Sequence, residues 1–85
     1  MAKKPIRIRF RKLGREKAAG LAHTKDRLIE LDPNQRGFDL LDSVIHEIIH
    51  IQQPDLSEEA VIEFSNEMAD LLWKLNYRLV DNHRK

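Results

Sequence analysis

The chain contains no cysteine, which excludes disulfides and thiolate metal sites and leaves histidine and carboxylate as the only good metal ligands. It has no apolar run near the roughly 20 residues of a membrane span. It also lacks a signal-peptide core at its start, because Ile6, Ile8 and Phe10 are interleaved with Arg7, Arg9 and Arg11. There are no repeats and no low-complexity segments. The expectation is one soluble, cytoplasmic domain over residues 1–85. A core this small gains materially in stability from a bound metal.

The net charge of +1 conceals a strong asymmetry. From Lys3 to Lys17 there are eight Lys or Arg, opposed by Glu16 alone, whereas Asp55 to Asp70 holds six acids and no Lys or Arg. The basic arm has two readings. It can meet nucleic acid or an acidic partner, or it can be a charge-protected edge strand that discourages pairing with other chains. The second is the commoner use of such a pattern. Phe10 is the arm's one aromatic and is expected on the buried side, which leaves little to stack on bases and makes nucleic acid an improbable partner.

Residues 5–13 alternate with period two, Ile6, Ile8, Phe10 and Lys12 against Arg7, Arg9 and Arg11, as a half-buried strand with its arginines in water does. A loop follows from Gly14 to Gly20. A hairpin is expected over about 21–31, with Leu21-Ala22-His23 and Leu28-Ile29-Glu30-Leu31 flanking Thr24–Arg27. Asp32–Gly37 has loop chemistry. The next helix should run from about 39 to 53, capped by Asp39 with Asp42 as approximate capping-box partner and stopped by Pro54. Its apolar stripe is Leu41, Val44, Ile45, Ile48, Ile49 and Gln52, with Ser43, His46, His50 and Gln53 opposite. A longer helix is expected over about 56–80, starting at Asp55 or Ser57, with Asp55-Leu56-Ser57-Glu58 as a capping box. Its core stripe is Leu56, Ala60, Phe64, Met68, Leu71, Leu75 and Leu79, broadened by Val61 and Leu72. Trp73 falls beside that stripe as a partly buried residue, and residues 81–85 should fray. The order strand, hairpin, helix, helix specifies an α+β domain with both helices on one face of a three-stranded sheet.

Within the first helix the chain reads His46-Glu47-Ile48-Ile49-His50. Four residues are just over one turn, so both imidazoles leave the same face and can hold two corners of one zinc ion. Glu47 then sits where its carboxylate can act as general base on a zinc-activated water. The string lies in an uncharged, proline-free helical segment and is followed by an acidic cluster, which distinguishes it from a chance occurrence. A catalytic zinc site takes three protein ligands. The candidates are Glu58, Glu59, Glu63 and Glu67 after the motif, and His23 and Glu30 from the hairpin. A turn at Gln53-Pro54-Asp55 brings the start of the second helix back beside His50. By helical angle Glu58 flanks the apolar stripe, while Glu59 points nearly opposite. Glu58 is therefore the first choice, with Glu59 and Glu63 in reserve. The competing role for Glu58 is a capping-box and helix-dipole carboxylate.

Val44-Ile45-His46-Glu47-Ile48-Ile49-His50-Ile51 resembles the active-site helix of the zincin metallopeptidases. With the hairpin before it and Leu56–Val61 and Leu71–Leu75 after it, the layout over about 20–80 is similar to small phage and bacterial zincin-like proteins. It is also similar to the cores of SprT-like and ImmA/IrrE-like peptidases. The resemblance implies a minimal zincin-like fold, zinc on His46 and His50, Glu47 as general base, and peptide or protein substrates. In the gluzincin type a glutamate from the following helix completes the site, which Glu58 matches. The chain has no second subdomain to form a lower cleft wall, which implies a bare catalytic core or one that cleaves when docked to a partner. The mechanism also needs an oxyanion-stabilising donor, for which His23 and Tyr77 are the candidates, although a surface or packing role is the commoner one for each. The alternative is a non-catalytic module of the same fold that binds or regulates a partner protein, or binds nucleic acid through its basic arm.

Overall fold

The computed structural model describes residues 3–16 and 18–79. Its elements are β1 (Arg7–Phe10), β2 (Gly20–His23), β3 (Leu28–Leu31), α1 (Gly37–Gln52) and α2 (Glu58–Lys74). The domain is α+β, with a three-stranded mixed sheet in the order β1-β3-β2. β1 runs parallel and β2 antiparallel to β3. The expected hairpin forms, and its turn closes with the N–H of Arg27 donating to Thr24 O while Arg27 takes a left-handed φ of 49°. After β1 the fully buried Leu13 is held by its own N–H, which donates to Asp32 Oδ2 at 2.9 Å. Asp32 Oδ1 takes the N–H of Asn34 at 2.8 Å, and these two donors keep the Asp32 carboxyl below its ordinary range.

α1 is the centre of the structure, and it carries two apolar faces rather than the single stripe expected. Leu40, Val44, Ile48 and Ile51 pack with Ile29, Leu31 and Ala22 of the sheet. Phe38, Leu41, Ile45 and Ile49 pack with Leu56, Val61, Ala69 and Leu72 of the second helix. Gln52, expected in the stripe, is exposed. α1 lies on β2 and β3, whereas α2 packs on α1 alone among these elements. The expected placement of both helices on the sheet is thus corrected: three four-residue strands offer room for one helix.

Two further expectations change for the same reason. α1 does not reach β1, so Ile8 and Phe10 stay half exposed despite their alternation. Phe10 therefore is not on a buried side. In α2 the buried residues are Val61, Ser65 and Ala69, with Leu72 partly covered. Phe64, Met68, Leu71 and Leu75 of the expected core stripe are exposed. Burying a large apolar side chain contributes roughly 1.5–3 kcal/mol, and these four forgo a large part of that. Small Ser65 and Ala69 instead allow α1 and α2 to approach closely.

The helix ends also shift. α1 begins at Gly37 with Arg36 as N-cap and no side-chain cap bond, so Asp39 lies in the first turn instead of capping it. Gly37 adopts φ +58°, and a Cβ there would meet Trp73 at 3.4 Å. Trp73 packs edge-on to Phe38 with centroids 5.9 Å apart, and the guanidinium of Arg78 lies 3.3 Å over its ring. α2 stops at Lys74, short of the expected 80. Asn76 takes a left-handed φ of 69°, and the N–H groups of Asn76 and Tyr77 donate back to Trp73 O and Leu72 O, which closes a Schellman turn. The expected fraying of 81–85 lies outside the described residues.

On the sheet face away from α1, Glu30 is buried at 2% exposure. Its carboxylate accepts Arg9 Nη2 at 2.7 Å, Arg11 Nε at 2.8 Å and His23 Nε2 at 2.9 Å. Glu30 is therefore the clamp that holds β1 and the segment after it to β3. The hydrogen bonds from Arg11, His23 and Arg9 hold its carboxyl far below the ordinary value of 4.5. A carboxylate whose pKa falls on folding stabilises the fold fully above its unfolded pKa and loses that contribution as pH drops below it. Glu30→Gln should lower the melting temperature at neutral pH, and the gap to the parent protein should narrow as pH is taken down through 4.5. Parallel thermal melts across that range check this; a gap independent of pH would show that the clamp is not ionic.

Candidate metal centre

His46 and His50 leave α1 on its third side, between the face that packs on the sheet and the face that packs on α2. Their Nε2 atoms lie 3.2 Å apart. The turn that returns the chain to them is built locally. The Gln53 N–H bonds Ile49 O at 2.7 Å, Pro54 ends α1, and the Leu56 N–H bonds Gln53 O. Ser57 caps α2, its Oγ accepting the Ala60 N–H at 3.1 Å. Because Ser57 is the cap, Glu58 is the first helical residue and takes no part in the expected Asp55–Glu58 capping box. Its side chain turns to the histidines, with Oε2 3.2 Å from His46 Nε2 and Oε1 2.9 Å from His50 Nε2.

These three side chains are the group of potential metal ligands found among the described residues. Ligand atoms at 2.0–2.1 Å from zinc in a tetrahedron lie about 3.3 Å from one another, close to the 2.9–3.2 Å seen here. Hydrogen bonds alone account for two of the three contacts. Each Nε2 carries at most one proton, so if both donate to Glu58 the facing nitrogens have none to share. If one donates to the other, the acceptor cannot also donate to Glu58. A single cation accounts for all three, so the donor set fits a divalent metal with borderline-soft preference. Glu58 remains largely exposed, which leaves one side of the group open to solvent.

The group lies in a cleft of about 660 Å³ between β2 and the α1–α2 pair. Glu47, 8% exposed, lines the same cleft. Burial pushes its carboxyl above the ordinary 4.5, and Glu58 adds to the rise while His46 and His50 oppose it. Gly20 at the start of β2 makes this packing possible. A Cβ there would sit 2.9 Å from Glu47 Cγ and 3.1 Å from Glu47 Oε2. Ser43 Oγ donates to Gln35 Oε1 at 2.7 Å, and Gln35 Nε2 donates to Ala19 O at 2.8 Å, which ties the approach to β2 onto α1.

The other sequence candidates are placed elsewhere. Glu59, Glu63 and Glu67 are exposed on α2 and outside the group. Glu30 and His23 are bonded to each other on the far side of the sheet. Neither His23 nor Tyr77 lines the cleft, so the oxyanion role expected of them is not supported. Gly20 was missed, although a glycine immediately before a strand marks a place where another element approaches the backbone closely. No protein-family profile, curated protein or solved structure matches this chain.

Gly20→Ala should cost ~1–3 kcal/mol of stability, the usual penalty of overpacking. Glu47→Ala should remove most of that penalty. A double-mutant cycle by denaturant unfolding reads the coupling; strict additivity would mean that Gly20 serves only its own backbone.

Proposed function

We propose that this chain is a zinc-dependent peptide hydrolase of minimal zincin-like form, with His46, His50 and Glu58 holding the metal and Glu47 as general base. The observation that carries the reading is the convergence of His46 Nε2, His50 Nε2 and the Glu58 carboxylate at the wall of an open cleft that a buried carboxylate shares. When bound, zinc supplies Lewis acidity toward the scissile carbonyl and a water of lowered pKa. Three protein ligands leave a further coordination position for that chemistry.

The rest is the work of the chain itself. Glu47 accepts the proton of the attacking water and returns it to the leaving amine. Its burial favours the protonated form, which brings its pKa closer to the range in which one carboxyl can both take and give a proton. β2 is an edge strand, and Gly20, Leu21 and Ala22 line the cleft. An extended peptide adding to that edge would lie along the cleft wall. The acids in the cleft, Asp42, Glu47 and Glu58, with no Lys or Arg lining it among the described residues, favour neutral or basic substrate segments over acidic ones.

The nucleic-acid alternative loses support from the basic arm. Arg9 and Arg11 are committed to Glu30, and Arg11 also to Glu16. The non-catalytic, protein-binding alternative keeps one favourable observation, the uncovered apolar face of α2.

Protein freed of metal and then supplied with zinc should melt at a higher temperature, because a ligand of the native state shifts the folding equilibrium. Glu58→Gln should remove most of this shift and Glu59→Gln none; equal losses would remove Glu58 from the ligand set. Glu47→Gln should lower peptide cleavage by at least about 100-fold, the low end of a general-base contribution, while zinc content stays near one per chain. Undiminished cleavage would refute the assignment.

A further inference from the structure

α2 presents a second apolar seam that nothing covers among the described residues. Phe64, Met68, Leu71 and Leu75 are 42%, 48%, 56% and 69% exposed. They recur at intervals of four, three and four, the spacing of a coiled-coil seam, and span about 16 Å of helix. The adjoining side of α2, about a quarter turn round the helix, is filled by α1 through Val61, Ser65, Ala69 and Leu72, so the seam has no partner among the described residues.

We propose that this seam is a homodimer interface in which α2 packs antiparallel against α2 of a second copy. The spacing is self-complementary under a two-fold axis. Phe64 meets the partner's Leu75 and Met68 meets the partner's Leu71, so each apolar side chain finds an apolar counterpart, as an isologous contact requires. Charge selects the direction. The first 13 of the 17 residues of α2 carry Glu58, Glu59, Glu63, Glu67 and Asp70, and its last turn carries Lys74. Parallel pairing would lay acids beside acids. Antiparallel pairing sets Glu67 beside the partner's Lys74, twice across the axis. Both residues precede a seam position by one, the flanking position from which charged pairs form in coiled coils. Lys74 now bonds Asp70 at 3.0 Å in its own helix, within one turn of that contact.

The seam is short beside the roughly 800 Å² per partner of a stable interface, so the dimer is reversible and grows with concentration. Glu58 lies at the far N-terminal end of α2 from the axis, so the metal cleft stays open in the pair. The proposal stands independently of the hydrolase reading.

Sedimentation velocity from micromolar to millimolar protein tests it, with and without chelator. The expected result is a monomer that converts to a dimer as concentration rises, equally in both conditions. Leu71→Glu should remain monomeric throughout, with unchanged far-UV circular dichroism. Glu67→Lys and Lys74→Glu, both at exposed positions outside the core, should each weaken the dimer about tenfold, the effect of juxtaposed like charges in place of paired ones. The double variant should restore it. A monomer at every concentration, including one that instead binds a different protein through this face, would overturn the proposal. So would dimerisation that survives Leu71→Glu, or a double variant no tighter than the single ones.

Discussion

Everything in this domain is arranged around one helix with more surface to satisfy than a small sheet can cover. α1 is packed on one side by β2 and β3 and on another by α2, and those two contacts bury Leu40, Ile45, Ile49 and Ile51. The packing fixes the helix about its axis, so its remaining side must face the gap between the sheet edge and α2. His46, Glu47 and His50 occupy that side. The cleft is a consequence of the sandwich: two layers meet the same cylinder at an angle and leave a wedge-shaped space between them.

The polar groups follow from the same constraint. Glu47 is placed where β2 crosses close to α1, and only a residue without a side chain at position 20 leaves room for it. Glu58 reaches the histidines because Ser57 takes the cap and frees it from duty at the helix start. On the other face of the sheet, Glu30 gathers two arginines and a histidine from β1, the segment after it and β2. That clamp replaces the apolar cover that β1 does not receive. Its charges explain how an otherwise bare basic edge strand stays attached to the sheet.

Much of the candidate site was legible in the chain. The one-turn spacing of His46 and His50 puts two imidazoles side by side in any helix, and Pro54 forces the turn that brings Glu58 back to them. Local rules suffice there because every partner lies within twelve residues. Gly20 was legible only as a place of close approach, because the residue that approaches, Glu47, lies far along the chain. The burial of α2 was read correctly at Leu56, Val61 and Leu72, but its stripe was centred one position off. Large apolar residues suggested the core stripe, yet close helix packing selected the small side chains Ser65 and Ala69 with Val61 between α1 and α2. β1 was misread because alternation reports which side chains share a face, and says nothing about whether another element covers that face.

The sequence by itself determined the element types, the hairpin, the helix break at Pro54 and the pairing of imidazoles, since each depends on dihedral preference or on spacing within a few residues. Tertiary structure decided which face of each helix is buried, that α2 rests on α1 and not on the sheet, and that His23 and Glu30 of the hairpin lie away from the cluster. Those outcomes turn on how many elements compete for a limited packing surface, a property of the assembled domain that no local stretch of chain contains.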